Sequence, residues 1–432
     1  WRGNEDQRLA LLRAAIVAGV EYVDLEGDVA ARIPRYGSTK RIVSFHDFDE
    51  TPGDLEAVHA RLAKLDPDVV KVVTMANSPA DSVRMLRLVA AAKVPTVGFC
   101  MGELGQPSRI LCGKYGAPFT YATFSREREM APGQLSFDDM KHVYRYDAID
   151  ASTRVFGVLG DPIAHSFSPL IHNAAYRELD MNAVYLPLRV LRGTLPETLG
   201  AFEFLKFQGY SVTIPHKQAA LEFAAECDSA AREIGAANTL FRGADGRWRA
   251  TNSDYEAALA SLRAGLASDA EPDGRIRGKK VLLLGAGGAA RAIALGVVRE
   301  GGLLTISNRT ADRARGLAEE LGCQTIQWEN RGTVFADVLI NCTSIGMHPE
   351  VDDTPFAANW LREGMVVFDT VYNPENTLLL KQARERDCRT ISGVEMFVGQ
   401  AAVQFELFTG RPAPLEAMRD ALREGISPVK VR

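Results

Sequence analysis

Val281–Leu284 is a short apolar run that enters Gly285-Ala286-Gly287-Gly288-Ala289-Ala290 and then a helical pattern. In this G-x-G-x-x-A spacing the first glycine permits a tight turn and the second lets a pyrophosphate approach the backbone. The small third residue lets helix and strand pack closely, and the helix N-terminus offers N–H groups and positive potential. Alone, the same spacing also fits a merely tight strand-to-helix turn. A second apolar run, Leu303–Ser307, ends in Asn308-Arg309-Thr310, with Arg313 one helical turn on. A chain that reads NAD carries a carboxylate here, about 20 residues past the glycines, on the ribose hydroxyls. A neutral amide, a guanidinium and a hydroxyl suit a 2′-phosphate instead, which a carboxylate would repel. The expected cofactor is NADP; the plainer reading of Arg309 is a solvated surface arginine.

Other segments set polar groups beside apolar runs. Gly157–Pro169 carries Ser166 and Ser168 in a turn before a helix, where serines are more often caps and turn formers. Gly209–Lys217 ends an apolar strand pattern on a lysine, and Ala236–Thr239 and Thr251–Asp254 each hold polar side chains next to apolar ones. In the first 150 residues Glu26, His46, Lys71, Met101–Arg109 and Gln134 cluster at the C-terminal ends of apolar runs. A (β/α) barrel with its active site on one face has that distribution.

The elements that must position these groups follow from periodicity. Tyr22–Leu25, Arg41–Phe45, Val69–Val73, Thr96–Cys100 and Phe119–Thr123 read as strands, with helical patterns over Asp54–Leu65 and Ser78–Ala92 between them. This is a β-α-β-α run and hence a parallel sheet, five strands of the eight that a barrel needs. The pattern resets near Ala148–Arg154, with strands at Val155–Leu159 and Ala183–Leu188 and a helix from Leu170. It meets a polar linker at Ser268–Gly278, and alternating strands and helices then run to Ser392, before a final amphipathic helix over Glu395–Thr409. The expected domains are 1–150, 151–266 (completed by 395–425) and 267–394.

Composition bounds the function. Over 432 residues, 46% are hydrophobic and 24% charged, which excludes a largely disordered chain. A net charge of −5 leaves no strongly basic field, so nucleic acid is not the expected partner. The longest apolar stretch, Val281–Val298, is broken by Arg291 and glycines and is unsuited to a membrane span. Six scattered cysteines without a C-x-x-C pair suggest a reduced, cytoplasmic protein, and no H-E-x-x-H or other metal motif is present.

From about Arg154 to the C-terminus the chain closely resembles shikimate dehydrogenase. The motifs that carry the resemblance occur in order: Gly157–Pro169, Gly209–Lys217, Ala236–Thr239, Thr251–Asp254, the glycine loop, Asn308–Thr310, Asp369-Thr-Val-Tyr-Asn-Pro374 and Met396-Phe-Val-Gly-Gln400. The resemblance implies a two-domain dehydrogenase with a Rossmann NADP domain. In it Lys217 and Asp254 are the catalytic pair, and Ser166, Ser168, Thr213, Asn238 and Gln400 hold the hydroxyls and carboxylate of shikimate. Tyr372 lies near nicotinamide and substrate, and Thr343 and Gly393 join Gly285, Ala286, Gly287, Gly288, Ala289, Asn308, Arg309, Thr310 and Arg313 at the cofactor. Ser211 stands where the family usually has Asn, and Ser253 where it has Thr. The chemistry is sound by itself: hydride reduction of a ketone builds negative charge on oxygen, which an ammonium stabilises and protonates.

The first 150 residues resemble type I 3-dehydroquinate dehydratase, through Ser44-Phe-His46-Asp-Phe, Val70-Lys71-Val, Met101-Gly-Glu-Leu-Gly-Gln-Pro-Ser-Arg109 and Ala131-Pro-Gly-Gln134. By this resemblance Lys71 forms an imine with the substrate ketone, His46 is the general base, and Arg109 and Gln134 hold carboxylate and hydroxyls. An imine is an electron sink, and an apolar strand end desolvates an amine and lowers its pKa. Met130 lies where Ser or Thr often precedes A-P-G-Q. Trp1-Arg2-Gly3-Asn4 resembles the family's W-E-G-G segment, so the first three barrel strands are expected to be absent and dehydration to be weak. The expected fold is thus α/β, a partial (β/α) barrel fused to a two-domain dehydrogenase.

The function these resemblances imply is two consecutive steps of the shikimate pathway, acting on 3-dehydroquinate and 3-dehydroshikimate, with shikimate as product. The alternatives are a quinate/shikimate dehydrogenase with a vestigial dehydratase half, and a non-catalytic NADP-binding sensor. The Ser166/Ser168 pair favours shikimate, because quinate's extra hydroxyl needs room there, and a sensor would be expected to lose Lys217 and Asp254. Arg309 yields the first prediction. Steady-state kinetics with each nucleotide should give at least a tenfold preference for NADP over NAD in kcat/KM (about 1.4 kcal/mol), mostly erased by Arg309→Ala. Equal use of both by the unmutated protein would refute this reading of Asn308–Thr310.

Overall fold

The computed structural model describes residues 3–124, 133–269 and 272–427. Trp1, Arg2, Met130, Ala131 and Pro132, and Ala270 and Glu271 of the expected linker, lie outside the described residues. The chain forms two compact units: residues up to Ser166 with Asn182–Gln208, and Phe167–Met181 with Gly209 onward. Compactness thus groups Arg154–Ser166 and Asn182–Gln208 with the N-terminal region, across the boundary expected at residue 150.

In the first unit, β1 (Tyr22–Glu26), β2 (Lys40–Asp47), β3 (Val69–Met75) and β4 (Thr96–Met101) form a parallel sheet in sequential order. Helices Leu55–Ala63 and Pro79–Ala91 make the crossovers after β2 and β3. The latter is opened by a capping box in which Ser78 and Asp81 satisfy each other's backbone N–H. Side chains alternate across the sheet. Val23, Leu25, Val43, Val70 and Val72 pack with Leu55, Val58, Leu62 and Met85 of the helices. Ile42, Val69, Val73, Val97, Phe99 and Met101 face the other way. In register on this second face, Glu26, Ser44, Lys71 and Val97 form one row.

The expected fifth strand, Phe119–Thr123, is not a strand. Its contact in the ladder sense is a single bridge between Thr123 and Ser136. The Tyr121 carbonyl is taken by the Arg109 Nη1 side chain at 3.0 Å, and Thr120 Oγ1 donates to the Arg109 carbonyl at 3.2 Å; among the described residues only Thr123 exchanges backbone bonds, with Leu135 at 2.9 Å and Phe137 at 2.7 Å. Phe119 and Tyr121 instead cover the second face as aromatic plugs. The unit also holds the parallel pair β5 (Arg154–Gly160) and β6 (Ala183–Arg189).

In the second unit, β7 (Phe207–Val212) pairs antiparallel with β9 (Thr239–Arg242). Strand β9 pairs antiparallel with β10 (Trp248–Thr251), and β10 pairs parallel with the short β8 (Glu226–Cys227). Six further described strands, β11 (Lys280–Leu284), β12 (Leu303–Ser307), β13 (Gln324–Thr325), β14 (Val338–Asn341), β15 (Val366–Asp369) and β16 (Arg389–Ile391), form a parallel sheet in the order β13-β12-β11-β14-β15-β16. Both faces are covered: Val281, Leu283, Ile306 and Ile340 pack under helices Ser253–Leu266 and Gly288–Arg299, and Leu282, Leu284, Leu339 and Val367 pack under Leu378–Arg384. Strand order reverses beside β11, which is where a doubly wound sheet opens a ligand crevice. Helix Gly393–Thr409 lies along Ser253–Leu266. It is not the final helix: Leu415–Ile426 follows and packs on Ser168–Glu178. Gly410 at φ 71° breaks the chain between them.

Gly285 sits in the turn after β11 at φ 114°, and a Cβ there would lie 2.9 Å from the Cys342 carbonyl oxygen. Gly322, at φ 65°, has open space around it. Gly322→Ala should therefore cost about 1–2 kcal/mol, the left-handed penalty alone. Gly285→Ala should cost clearly more and weaken nucleotide binding as well. Urea melts and NADP+ titrations of both variants check this; equal costs would mean that the turn relaxes away from Cys342.

Candidate active sites

Two lysine–carboxylate pairs stand out, one in each unit, the first within the parallel sheet and the second between two helix starts. In the first, Lys71 points from β3 to the face shared by Asp24, Glu26, Ser44 and His46. Its Nζ donates to Asp24 Oδ2 at 2.8 Å and lies 4.2 Å from the centroid of the Tyr121 ring. His46 stacks on Phe48, and its Nδ1 is 3.9 Å from Glu26 Oε1. Burial pushes the His46 pKa down and the Lys71 ammonium adds to this, against the opposing pull of Asp24 and Glu26. The imidazole is therefore neutral near pH 7, as a base must be. Ser44 Oγ, buried between these groups, has no hydrogen-bond partner among the described residues.

Arg109, buried on the helix that follows β4, lays its guanidinium 4.2 Å from the Phe99 ring centroid, beside the Tyr121 that lies under Lys71. Gln134 is half-buried, and its neighbour Gly133 sits so close that a Cβ would lie 2.6 Å from the Gly102 carbonyl. That contact brings the expected G-Q segment against the Met101-Gly102 strand end. Thus Lys71, His46 and Arg109 meet on one face of the sheet. Asp24 was missed in the sequence, although alternation in Tyr22–Glu26 sets Asp24 and Glu26 on one side and Val23 and Leu25 on the other.

In the second unit, Lys217 opens helix Lys217–Phe223 and Asp254 is the second residue of helix Ser253–Leu266. Nζ and Oδ2 are 2.5 Å apart. The segment between them in space, Ala236–Asn238, brackets both: Ala237 N–H donates to the Lys217 carbonyl at 2.8 Å and Asn252 Nδ2 to the Ala236 carbonyl at 3.0 Å. Ser253 N–H donates to Asn238 Oδ1 at 2.8 Å. Beside the pair opens a cavity of about 490 Å³ lined by Ile214, Pro215, Lys217, Ala236, Gly288 and Arg291, among others. Lys217 and the glycine loop therefore share one space.

Thr213 is half-buried just before Lys217. Tyr372 is buried against Phe397, with ring centroids 4.3 Å apart, and burial raises its phenol above the usual pKa. Gln400, on helix Gly393–Thr409, donates to its own helix at the Phe397 carbonyl, 3.0 Å away. Ser168 starts helix Ser168–Glu178 in this unit, whereas Ser166 falls in the first.

The residues expected at the cofactor lie along the C-terminal ends of β11, β12, β14 and β15. Gly287 and Gly288 are exposed, and Cβ atoms there would meet no backbone, which leaves room for a phosphate over the start of helix Gly288–Arg299. Ala286 and Ala289 are half-buried in the same turn. Asn308 Nδ2 closes the next turn on the Thr310 carbonyl at 2.9 Å. Arg309 and Arg313 are exposed, and their guanidinium groups have no partner among the described residues. Two unneutralised cations at this place fit a 2′-phosphate. Thr343 is held by Asn341, whose Oδ1 accepts from Thr343 N–H at 3.0 Å and Oγ1 at 2.7 Å. Asn341 Nδ2 in turn donates to Asp369 Oδ1 at 2.9 Å, and Thr377 Oγ1 donates to Asp369 Oδ2 at 2.7 Å. Burial raises Asp369 to about 6 against these hydrogen bonds. The motif that contains Asp369 was legible in the sequence, but this bracing role was not. Gly393 touches the Tyr372 loop: a Cβ there would lie 2.4 Å from the Val371 carbonyl.

Comparison with known proteins divides the chain near residue 150 rather than along the two compact units. Residues 1–151 match the family model of type I 3-dehydroquinase. Residues 158–240 match the shikimate dehydrogenase substrate binding domain, 266–354 shikimate / quinate 5-dehydrogenase, and 393–423 the shikimate 5′-dehydrogenase C-terminal domain. A bifunctional 3-dehydroquinate dehydratase/shikimate dehydrogenase of Arabidopsis thaliana, named as chloroplastic, is 39% identical over 434 residues, covering 96% of this chain and 72% of the relative. A shikimate dehydrogenase (NADP(+)) of Methanosarcina mazei is 41% identical over 63% of this chain and 99% of its own length. The crystal structure of shikimate 5-dehydrogenase from Thermus thermophilus with NADP(H) and shikimate superposes with a TM-score of 0.57 at 32% identity, over 63% of this chain and all of that one. Similarity that runs through both lysine centres in one polypeptide places the chain in the family of bifunctional 3-dehydroquinate dehydratase/shikimate dehydrogenases.

Proposed function

We propose that the chain carries out two consecutive steps of the shikimate pathway, dehydrating 3-dehydroquinate at Lys71 and reducing 3-dehydroshikimate to shikimate with NADPH at Lys217. The observation that carries the dehydrogenase reading is Lys217, paired with Asp254, lining the cavity that Gly288 also lines. The domains proposed for this work are 1–150 for the dehydratase, 151–266 completed by 395–425 for the dehydrogenase substrate, and 267–394 for NADP. Matches at 158–240 and 393–423 to substrate-binding and C-terminal models support that grouping, as does the packing of helix Gly393–Thr409 on Ser253–Leu266.

When bound, NADPH supplies a hydride to the substrate carbon. Asp254 takes one N–H of Lys217, which leaves the other two to face the substrate oxygen, stabilise its growing charge and pass it a proton. Thr213, Asn238, Tyr372 and Gln400 are proposed to hold substrate, and Ser166 and Ser168 by their motif. Arg309 and Arg313 grip the 2′-phosphate, and Gly285–Ala289, Asn308, Thr310, Thr343 and Gly393 shape the rest of the nucleotide bed.

In the dehydratase half, Lys71 must give up a proton before its nitrogen attacks the ketone. Asp24 at 2.8 Å is placed to take it. Loss of water from the adduct leaves an imine, neutral His46 removes the neighbouring C–H proton, and the same imidazole returns a proton to the departing hydroxyl. Arg109 and Gln134 hold the substrate. The partners proposed are these small molecules. A net charge of −5 argues against nucleic acid, and among the described residues no helix is long and apolar enough to cross a membrane. Six free cysteines support a reducing compartment such as the cytoplasm.

Lys217→Ala should lower turnover with shikimate and NADP+, followed at 340 nm, by on the order of 10² to 10⁴, while fluorescence titration still detects NADPH binding. A variant that keeps near-normal turnover would make Lys217 a bystander. For the dehydratase, the depressed His46 pKa means that the base form survives as pH falls and is lost only below the usual histidine range of about 6.5. Ring ¹⁵N NMR should find its midpoint below that value, and Lys71→Met should raise it in part, since burial rather than the lysine is the larger cause. An unchanged or lower midpoint in the variant would remove Lys71 from the base's surroundings.

A further inference from the structure

Gln404 lies one helical turn beyond Gln400, wholly enclosed, with every polar atom of its amide engaged. Its Oε1 accepts from Ser211 Oγ at 2.6 Å. Its Nε2 donates to the Asn238 carbonyl at 3.3 Å and to Thr239 Oγ1 at 3.1 Å. Thr239 Oγ1, having accepted, turns its own proton to Asn238 Oδ1 at 2.8 Å. The chain of donors thus runs in one direction, from Ser211 through Gln404 and Thr239 to Asn238. There it meets two more donors, Ser253 N–H at 2.8 Å and Ser253 Oγ at 3.1 Å.

Three donors converge on Asn238 Oδ1. The two hydroxyls can turn to accept, but Ser253 N–H can only donate, so turning that amide over would set its NH₂ against a fixed donor, and this bond sets the orientation. Asn238 Nδ2 makes no hydrogen bond among the described residues, although the residue is only 3% exposed. The neighbouring His172 brings no charge to compete: burial takes its pKa down to about 3, against a small opposing effect of Gln404. Ser211 and Ser253, the two positions at which the sequence departs from the motifs it resembles, are the first donor of this network and the last residue on it.

We propose that Gln404 is a positioning residue of the dehydrogenase, which fixes the direction of this buried hydrogen-bond chain. Asn238, whose Oδ1 takes the Ser253 N–H at the start of the helix that carries Asp254, is reinforced by the Thr239 proton that Gln404 directs to it, and offers substrate a donor only. The group bound at Asn238 is therefore an acceptor oxygen of the polyhydroxy acid, a hydroxyl lone pair or a carboxylate. This rests on the reading of Asn238 as a substrate contact.

Gln404→Met keeps the volume and removes the amide, and Thr239→Val keeps the shape and removes the relay. Kinetics of the whole chain with shikimate and NADP+ should show kcat/KM for shikimate reduced about tenfold or more in each. KM for NADP+ should stay within twofold, and the double variant should be little worse than either single one. Parallel changes in both KM values, purely additive losses, or no loss in either variant would overturn the proposal. Should Gln404→Met fail to fold, Thr239→Val alone decides by the same split between the two KM values. An unmutated protein that does not oxidise shikimate would instead defeat the functional reading beneath it.

Discussion

A lysine ammonium drawn out of bulk water needs a carboxylate in contact, and both chemical centres of this chain are arranged around that need. Leaving either charge half-desolvated and unpaired costs several kcal/mol. Lys217–Asp254 and Lys71–Asp24 therefore constrain everything that carries them. For Lys217 the constraint reaches far, because its partner sits on a different helix. The bracket Ala236–Asn238 spends its backbone and one side chain on holding the two helix starts at a fixed separation. For Lys71 the partner comes two strands away on the same sheet face, and strand register alone sets the distance.

The nucleotide side is built on a different principle. Its groups stand at the ends of parallel strands whose side chains are mostly buried, so the crevice is positioned by the sheet and shaped by loops. Asp369 and Asn341 join the loops after β14 and β15 through a network closed by Thr343 and Thr377. The glycine loop needs no such network, because Gly285 is forced into its turn by the Cys342 carbonyl.

Much of this was legible in the residues. Apolar strand runs, the glycine spacing and the cations after β12 are local signals, and each appears where the structure needs it. The strands β1 to β4 fall within a few residues of their expected bounds. The failures are of another kind. Phe119–Thr123 has a strand's composition, but its Tyr121 carbonyl goes to the Arg109 side chain and Thr123 bonds Leu135 and Phe137, partners that no local pattern reveals. Leu415–Ile426, close to the chain's polar end, was passed over as a helix although it packs on Ser168–Glu178. Asp24 and Gln404 carry weight only through residues far off in sequence, Lys71 in one case and Ser211 and Asn238 in the other. Their spacing marks a face but not what lies opposite it.

Arg309 and Arg313 stand in open solvent with no carboxylate to neutralise them among the described residues. Nothing low-dielectric shelters their attraction for a 2′-phosphate, and exposed charges are screened over a Debye length of about 8 Å at physiological ionic strength. In the role proposed for these arginines, discrimination between the two nicotinamide nucleotides is set jointly by the protein and by the salt around it. Lys217 and Asp254, enclosed and in contact, work at a range where ions do not intervene. One enzyme then has a chemical step indifferent to ionic strength and a nucleotide preference that follows it, so the compartment in which the protein works tunes the second without touching the first.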